Sequence, residues 1–477
     1  MSLSDAMKIA QANFANTALQ TAVVSKNMTN ASNPNYSRRE AVLVSTSYGA
    51  TIATTQRVQN DALLKQNLVS ISKSVGQDTL LTGLERMKTM LGGSAYELSP
   101  STYLSELWND LQTFADTPSD LSLAQSVITS ATDVANSLNT ISGSLQKLRS
   151  EADADIAASV SELNRLLSEF KTYNDQVKLA TATGGDANDA LDQRDKLLGQ
   201  ISSIIGVSTV VRANNDIALY TTNGTVLFET LPRTVTFEPT RSYTAGTVGK
   251  AVFIDGVEVP AGTGGNTSAS GSLPALLQLR DDIAPRYQAQ LDETARGLIT
   301  LFQESGQPGL FTWMDGGTQA TNVPGGLTTG LAAAIRVNPA VLSSQGGDPM
   351  KLRDGINANQ NTGNEASFSV LLDGYLKGFD ANMTFDPAAG IDESTTLLEF
   401  STASVGWLEQ QRSAATTARD DKAALLSRTQ NALYSASAVS VDEELALLLD
   451  LEQSYKASAK LVAAIDEMMT ALMNMTG

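Results

Sequence analysis

The chain has 477 residues, 33 basic against 51 acidic side chains for a formal net charge of -18, and neither cysteine nor histidine. Those absences exclude disulfide scaffolds, thiolate- or imidazole-ligated metal sites, cysteine nucleophiles and every triad that needs an imidazole base. The acidic balance argues against nucleic acid and anionic membrane surfaces as partners, since both reward Lys and Arg, and no apolar run of about 18 residues is present to insert into a bilayer. Asp5, Gln11, Asn13 and Asn16 interrupt the N-terminal stretch, so it does not read as a cleaved signal peptide. With 42% hydrophobic but only 5% aromatic residues, cores of Ala, Leu, Val and Ile in slender helical packing are expected, in roughly three domains of about 150 residues.

The chain opens with Leu3, Met7, Ala10, Phe14, Thr17, Thr21, Val24 and Met28, spaced alternately by four and three, the period of a coiled-coil seam. Two threonines and an alanine weaken this seam, so the helix over 3–31 needs a partner surface. Asn33-Pro34-Asn35 ends it, with Asn35 expected in the left-handed region. Helices are predicted over 58–92 and 100–115. From 117 to 182 one pattern is nearly continuous: Ala131, Val134, Leu138, Ile141, Leu145, Leu148 and Ala152 alternate strictly, Ile156 and Val160 form a stutter, and Leu163, Leu167 and Phe170 resume. If Gly143 does not break it, about sixty residues at 1.5 Å each make a rod on the order of 90 Å.

After a helix over 187–205 the character changes. Val207 to Val211, Ile217 to Tyr220, Thr225 to Phe228 and Ala251 to Val259 favour strands, with hairpin dipeptides at Asn223-Gly224 and Asp255-Gly256. They predict a small inserted β domain, closed by the flexible Gly262 to Gly271 stretch. A helix over 272–304 follows, then a Gly-, Asn-, Asp- and Pro-rich region over 306–390 with little regular structure, then a helix over 394–435. The last helix, over 441–474, carries a second seam: Leu448, Leu451, Tyr455, Ser458, Val462, Ile465, Met469 and Leu472. Ser440 and Glu443 form the S-x-x-E box that starts it, with Asp442, Glu443 and Glu444 favoured by the helix dipole. The fold class is therefore mainly α with β-rich insertions: elongated, terminal helices pairing as a coiled coil, a long helical bundle body and a small inserted β domain. The two seams can meet each other within one chain or meet neighbouring subunits.

Chemistry finds little support. Asp281-Asp282, Asp420-Asp421 and Asp442-Glu443-Glu444 offer carboxylates for glycoside hydrolysis, which needs two across a cleft. Neighbours on a helix point about 100° apart, however, and solvated faces account for them better. Asn27, Asn30, Asn33 and Asn35 cluster where capping and turn formation explain them. No cofactor or metal is expected.

Several motifs in the right order resemble one family. Ala18-Leu19-Gln20, Ser25 to Asn30 and Asn33-Pro34-Asn35-Tyr36-Ser37-Arg38-Arg39, with Asn27, Asn30, Pro34, Tyr36, Ser37 and Arg38 as its core, resemble the axial signature of bacterial flagella. In mid-chain, Asn188, Leu191 to Asp195, Gly271-Ser272-Leu273 and Arg280-Asp281 are similar to long-helix motifs of the flagellar hook-associated protein 1 family. At the end, Val441 to Glu444 with Gln453, Tyr455 and Ala457 to Lys460 match its terminal helix. Lys26, Asn35 and Ser440 depart from the pattern at positions where local geometry tolerates them, and 306–390 matches poorly.

The resemblance implies a structural adaptor between hook and filament with no catalysis. It implies export through the type III apparatus without a cleaved signal peptide, an extracellular place in the flagellum, and an export chaperone beforehand. The implied partners are further copies of itself in a ring-like homo-oligomer, the hook protein and the next junction protein towards the filament. Leu3, Met7, Ala10, Phe14, Val24, Met28, Leu448, Leu451, Tyr455, Val462, Ile465, Met469 and Leu472 are the expected interface residues. The expected domains are 1–40 with 436–477 (terminal coiled coil), 41–206 with 272–305 and 391–435 (helical rod), 207–271 (inserted β-rich domain) and 306–390 (an irregular insertion packed on the body). A hook or filament subunit shares the terminal architecture and is the structural alternative; a carboxylate glycosidase acting on cell-wall glycan is the enzymatic one.

Overall fold

The computed structural model describes residues 3–46 and 49–476. In chain order the helices are α1 (Leu3–Thr29), α2 (Asp61–Met90), α3 (Pro100–Asp116), α4 (Leu121–Thr183), α5 (Asn188–Ile204), α6 (Ser272–Gln278), α7 (Ala284–Leu301), the single turns α8 (Leu331–Ala334) and α9 (Lys351–Asp354), α10 (Val370–Asp380), α11 (Leu397–Ser437) and α12 (Val441–Thr476). Two compact units emerge from the contacts: Met1–Ser74, Glu162–Thr234 and Lys422–Gly477 form the first; Val75–Ser161 and Val235–Asp421 form the second.

Helix α4 runs unbroken through Gly143, at which an added Cβ would meet nothing within 4 Å. The glycine lies on the exposed face while Ile141 and Leu145 beside it are buried, so packing overrides a propensity penalty of about 1 kcal/mol. Helix α3 begins where its sequence says it should: the Ser99 hydroxyl accepts the Thr102 N–H at 3.3 Å and Pro100 takes the first turn.

The β-rich stretch carries two separate antiparallel sheets. In the first unit β3 (Val207–Val211), β4 (Ile217–Thr221) and β5 (Val226–Phe228) are ordered β3-β4-β5, and Phe228 stacks edge-on against Phe170 of α4 at 5.1 Å. In the second unit β6 (Val235–Thr236), β7 (Phe253–Ile254) and β8 (Val257–Glu258) are ordered β6-β7-β8. Asp255 and Gly256 take φ of 51° and 83°, as their hairpin turn requires, whereas at Asn223-Gly224 only Gly224 is left-handed, at 87°. Residues 306–390 contain β9 (Phe311–Asp315), β10 (Thr318–Gln319) and β11 (Ile335–Val337) in the order β10-β9-β11, besides α10; β12 (Met383–Thr384) pairs with β13 (Ser394–Thr395). Their apolar side chains, Phe311, Ile335, Leu372 and Phe379, join the core of the second unit with Leu84, Leu107, Leu138 and Leu298.

Two elements depart from the sequence expectations. A hairpin of β1 (Arg39–Thr46) and β2 (Gly49–Arg57) precedes α2; its Ala-Val-Leu-Val run lacks strict alternation, and no paired turn dipeptide marks it. The helix expected over 272–304 is split by a π-helical turn at Leu279–Ile283. That wider turn leaves the Arg280 carbonyl free to accept Arg149 Nε at 3.0 Å, while the buried Arg280 guanidinium reaches Asp153 at 2.6 Å, Asp281 at 2.7 Å and the Lys250 carbonyl at 2.7 Å. Gly249 makes room for it, since a Cβ there would lie 2.5 Å from Arg280 Nε. The Arg280-Asp281 motif is thus the centre of a buried, charge-balanced cluster.

Candidate functional site

Within the first unit the two seams meet. Phe14 of α1 packs edge-on against Tyr455 of α12 with centroids 5.0 Å apart, and the chain leaving α1 returns to the start of α12, so the helices run antiparallel. On α1, Ala10 and Val24 are buried and Leu3, Met7, Phe14 and Met28 half-buried. On α12, Leu451 and Ile465 are buried and Leu448 and Val462 half-buried, but Tyr455, Met469 and Leu472 are 53%, 47% and 52% exposed. One seam is covered along its length; the other is covered only in part. Beside that part Leu461, Met468, Met473 and Met475 also face solvent, a concentration of exposed apolar side chains that marks interaction surfaces.

The signature after α1 builds the joint between the chain ends. Asn27 is the hub: its Nδ2 donates to the Arg39 carbonyl at 2.9 Å, and its Oδ1 accepts the Arg39 N–H at 2.9 Å and the Tyr36 hydroxyl at 2.9 Å. Burial pushes the Tyr36 phenol up to about 12, keeping it a donor. The Arg39 guanidinium carbon lies 4.7 Å from the Tyr36 ring centre, a cation–π contact for a group whose Nε and Nη1 make no hydrogen bond among the described residues. Its Nη2 pairs with Asp192 at 2.6 Å and Asp189 at 2.9 Å; Arg57 in turn pairs with Asp192 at 3.1 Å and Asp195 at 2.7 Å. Burial works to raise the Asp189 carboxyl, but its hydrogen bond and charge contact with Lys26, and then Arg39, hold it below the usual range.

Arg38 joins the other end: its Nε meets the fully buried Glu444 at 2.7 Å, and its N–H donates to the Ser437 carbonyl at 2.8 Å. Burial works to lower the Arg38 pKa, but the Glu444 hydrogen bond and the charges of Glu444, Glu40 and Glu443 together raise it. Asn30 folds back onto the Lys26 carbonyl at 2.9 Å, and Pro34 and Ser37 line a cleft with Asp195 and Tyr434. Asn35 is not left-handed as expected; the turn is made instead by the Asn33 side chain accepting the Asn35 N–H at 3.1 Å. At the S-x-x-E box the Glu443 N–H reaches the Ser440 hydroxyl at 3.4 Å.

Sequence reasoning missed the hairpin's keepers. The Asn16 side chain bonds both the Ala50 carbonyl at 2.5 Å and the Ile52 N–H at 3.0 Å, and Asn188 donates to the Thr55 carbonyl at 2.8 Å. A carboxamide carries one donor and one acceptor side by side, so it substitutes for a strand. The available signal was a buried asparagine on the apolar side of α1, beside Ala10 and Thr17. As for the carboxylates weighed for hydrolysis, Asp281, Asp282, Asp420 and Glu444 are each paired with an arginine: Arg280, Arg286, Arg419 and Arg38.

Comparison with known proteins adds an independent line. Residues 84–319 match the family model for the flagellar hook-associated protein FlgK helical domain, and residues 429–475 match that for the C-terminal part of flagellar basal body rod FlgEFG proteins. The flagellar hook-associated protein 1 of Bacillus subtilis is 23% identical over 504 residues, covering 94% of both chains. Its namesake in Salmonella typhimurium is 26% identical over 229 residues, 46% of this chain and 41% of that one. A solved structure, the flagellar hook junction protein FlgK from Burkholderia pseudomallei, aligns with a TM-score of 0.40 at 21% identity over 52% of this chain and 47% of its own.

Proposed function

The chain belongs to the FlgK family of flagellar hook-associated proteins, and from this we propose that it is the structural adaptor joining hook to filament, incorporated as subunits whose end helices are completed by their neighbours. It is a part of the bacterial flagellum. The observation that carries the assembly reading is the asymmetry of the end pair: α1 covers only part of the α12 seam, leaving Tyr455, Met469 and Leu472 exposed among further Leu and Met side chains. A helix whose apolar side is half open in one chain gains order when a second surface covers it. In this reading the interface residues of both seams, with Asn27, Tyr36 and Arg38 locking the ends together, act in assembly and none in catalysis. Further copies in a ring, the hook protein, the next junction protein, an export chaperone and the type III apparatus are its partners. Export proceeds without a cleaved signal.

Deleting the gene and imaging cells by electron microscopy, with the medium assayed for filament protein, tests the role. Bare hooks and shed filament protein are expected; filaments still attached would overturn it. Ile465→Asp tests the mechanism separately: incorporation is lost while the second unit melts as in the parent, and normal incorporation would refute the seam.

A further inference from the structure

The first unit has two small sheets, and each has one sealed edge and one open edge. On β2 three outward backbone groups are taken, the Ala50 carbonyl and the Ile52 N–H by Asn16 and the Thr55 carbonyl by Asn188. On β5 the return of the chain seals the edge, through the Phe228–Pro232 bridge and the Arg233 N–H on the Leu227 carbonyl at 2.8 Å. Among the described residues, no strand pairs with the outer edge of β1 or with that of β3.

The ladders fix which groups point out. Asn27 takes the outward N–H and carbonyl of Arg39, so by alternation those of Ala41, Leu43 and Ser45 also face away from β2. On β3 the Thr222 N–H reaches the Gly206 carbonyl and the Arg212 N–H the Asp216 carbonyl, which turns Val207, Thr209 and Val211 outward from β4. Each edge thus presents three consecutive outward residues. Neither Ala41–Ser45 nor Val207–Val211 contains an ionisable side chain or a proline, the usual devices by which exposed edges are blunted, and Leu43, Val44, Val210 and Val211 are all exposed near one half.

We propose that these edges are the two halves of one contact between copies of this chain: β1 of one copy adds to β3 of the next, extending one sheet across the subunit boundary. The match is in length, in the absence of any charge to desolvate, and in the valine- and leucine-lined flanks. Because the two edges differ, the contact is heterologous and repeats from copy to copy, as a ring needs, whereas β1 against β1 would close a two-fold dimer. The proposal rests on the reading above that copies of the chain assemble with one another.

The chain has no cysteine of its own, so full-length chains carrying Val44→Cys, Val210→Cys or both are made in cells lacking the native gene, and isolated flagella are treated with a short bismaleimide. The doubly substituted chain is expected to give a ladder of cross-linked copies, and neither single variant any product. A dimer from Val44→Cys alone, a conjugate with a different flagellar protein, or no ladder from cells whose filaments stay attached would each overturn the strand contact and leave the hook–filament role standing. Filaments attached in cells with no copy of the gene would refute that role instead. Leu43→Pro removes an outward N–H and no rung of the hairpin; added to the doubly substituted chain it is expected to abolish the ladder while thermal unfolding stays as in the parent. Thr209→Pro makes the same test from the β3 side, and a ladder persisting through both substitutions would refute the proposal.

Discussion

Helix α12 is richer in apolar side chains than α7, yet the two have opposite fates. Twelve of the 18 residues of α7 are buried, among them Tyr287, Leu291, Leu298 and the carboxylates Asp292 and Glu293. In α12, twice as long, Glu444, Leu451, Ser458 and Ile465 are the only buried residues among those described. The first helix is fixed by its own chain; the second carries apolar surface that its chain does not use. Burial of a Leu side chain is worth about 1.5–3 kcal/mol, so the exposed Leu and Met of α12 are a reserve of free energy that only association can draw on. The difference separates a helix buried by its own chain from one with apolar surface left exposed, the surface that the proposed assembly would cover.

That contrast can be broken most severely at Phe302, which is fully buried and packs on Phe311, Tyr375 and Phe379 with centroids 5.4, 4.8 and 5.9 Å away. Phe302→Ala should cost about 3–5 kcal/mol in denaturant unfolding; a loss below about 1 kcal/mol would mean that the second unit is not the rigid partner. Asp192→Ala removes a shared carboxylate from two buried arginines, leaving Asp189 for Arg39 and Asp195 for Arg57, and should cost about 3 kcal/mol, read most clearly as protease sensitivity of the 39–57 hairpin. An intact hairpin in that variant would show that the asparagines with Asp189 and Asp195 suffice to hold it.

Asp292 sharpens the comparison by pH. Burial lifts its carboxyl to about 6, although the Ala332 and Gly330 N–H groups and Gln288 bond to it. The folded chain therefore binds this proton more tightly than the unfolded chain. The ionised form weakens the fold above pH 6, and that penalty fades as pH falls from 6 towards 4. Relative to Asp292→Asn, the parent should gain stability across this window; parallel pH profiles would contradict the assignment. The smallest effect is expected at the chain ends: Tyr455→Ala removes one edge-on pair and should cost the free chain only about 1 kcal/mol, while impairing incorporation much more than that figure suggests. Equal tolerance in both assays would dissolve the distinction between α7 and α12.

Periodicity made the long helices legible. The 3-4 alternation from Ala131 to Ala152 and the stutter at Ile156 and Val160 survive as one α4, because buried positions repeat wherever the helix meets apolar neighbours. The features that escaped are set by tertiary partners. The β1–β2 hairpin depends on Asn16, Asn27 and Asn188, each distant in sequence from part of what it holds. The π-turn at Leu279–Ile283 follows from room made by Gly249 and from Arg149, neither of which leaves a local mark. The joint between the chain ends was legible as two seams and a motif; that Arg38 reaches Glu444 and Arg39 reaches Asp192 became visible only once the chain was folded.

The most direct test is amide hydrogen exchange over 441–476, measured on the free full-length chain and again on isolated hook–junction particles. Fast exchange in the free chain, at least a hundredfold above that of 284–301, followed by strong protection after incorporation, is the expected result. Protection in the free chain already equal to that of α7, and unchanged on incorporation, would contradict the claim that neighbouring subunits complete the end helices.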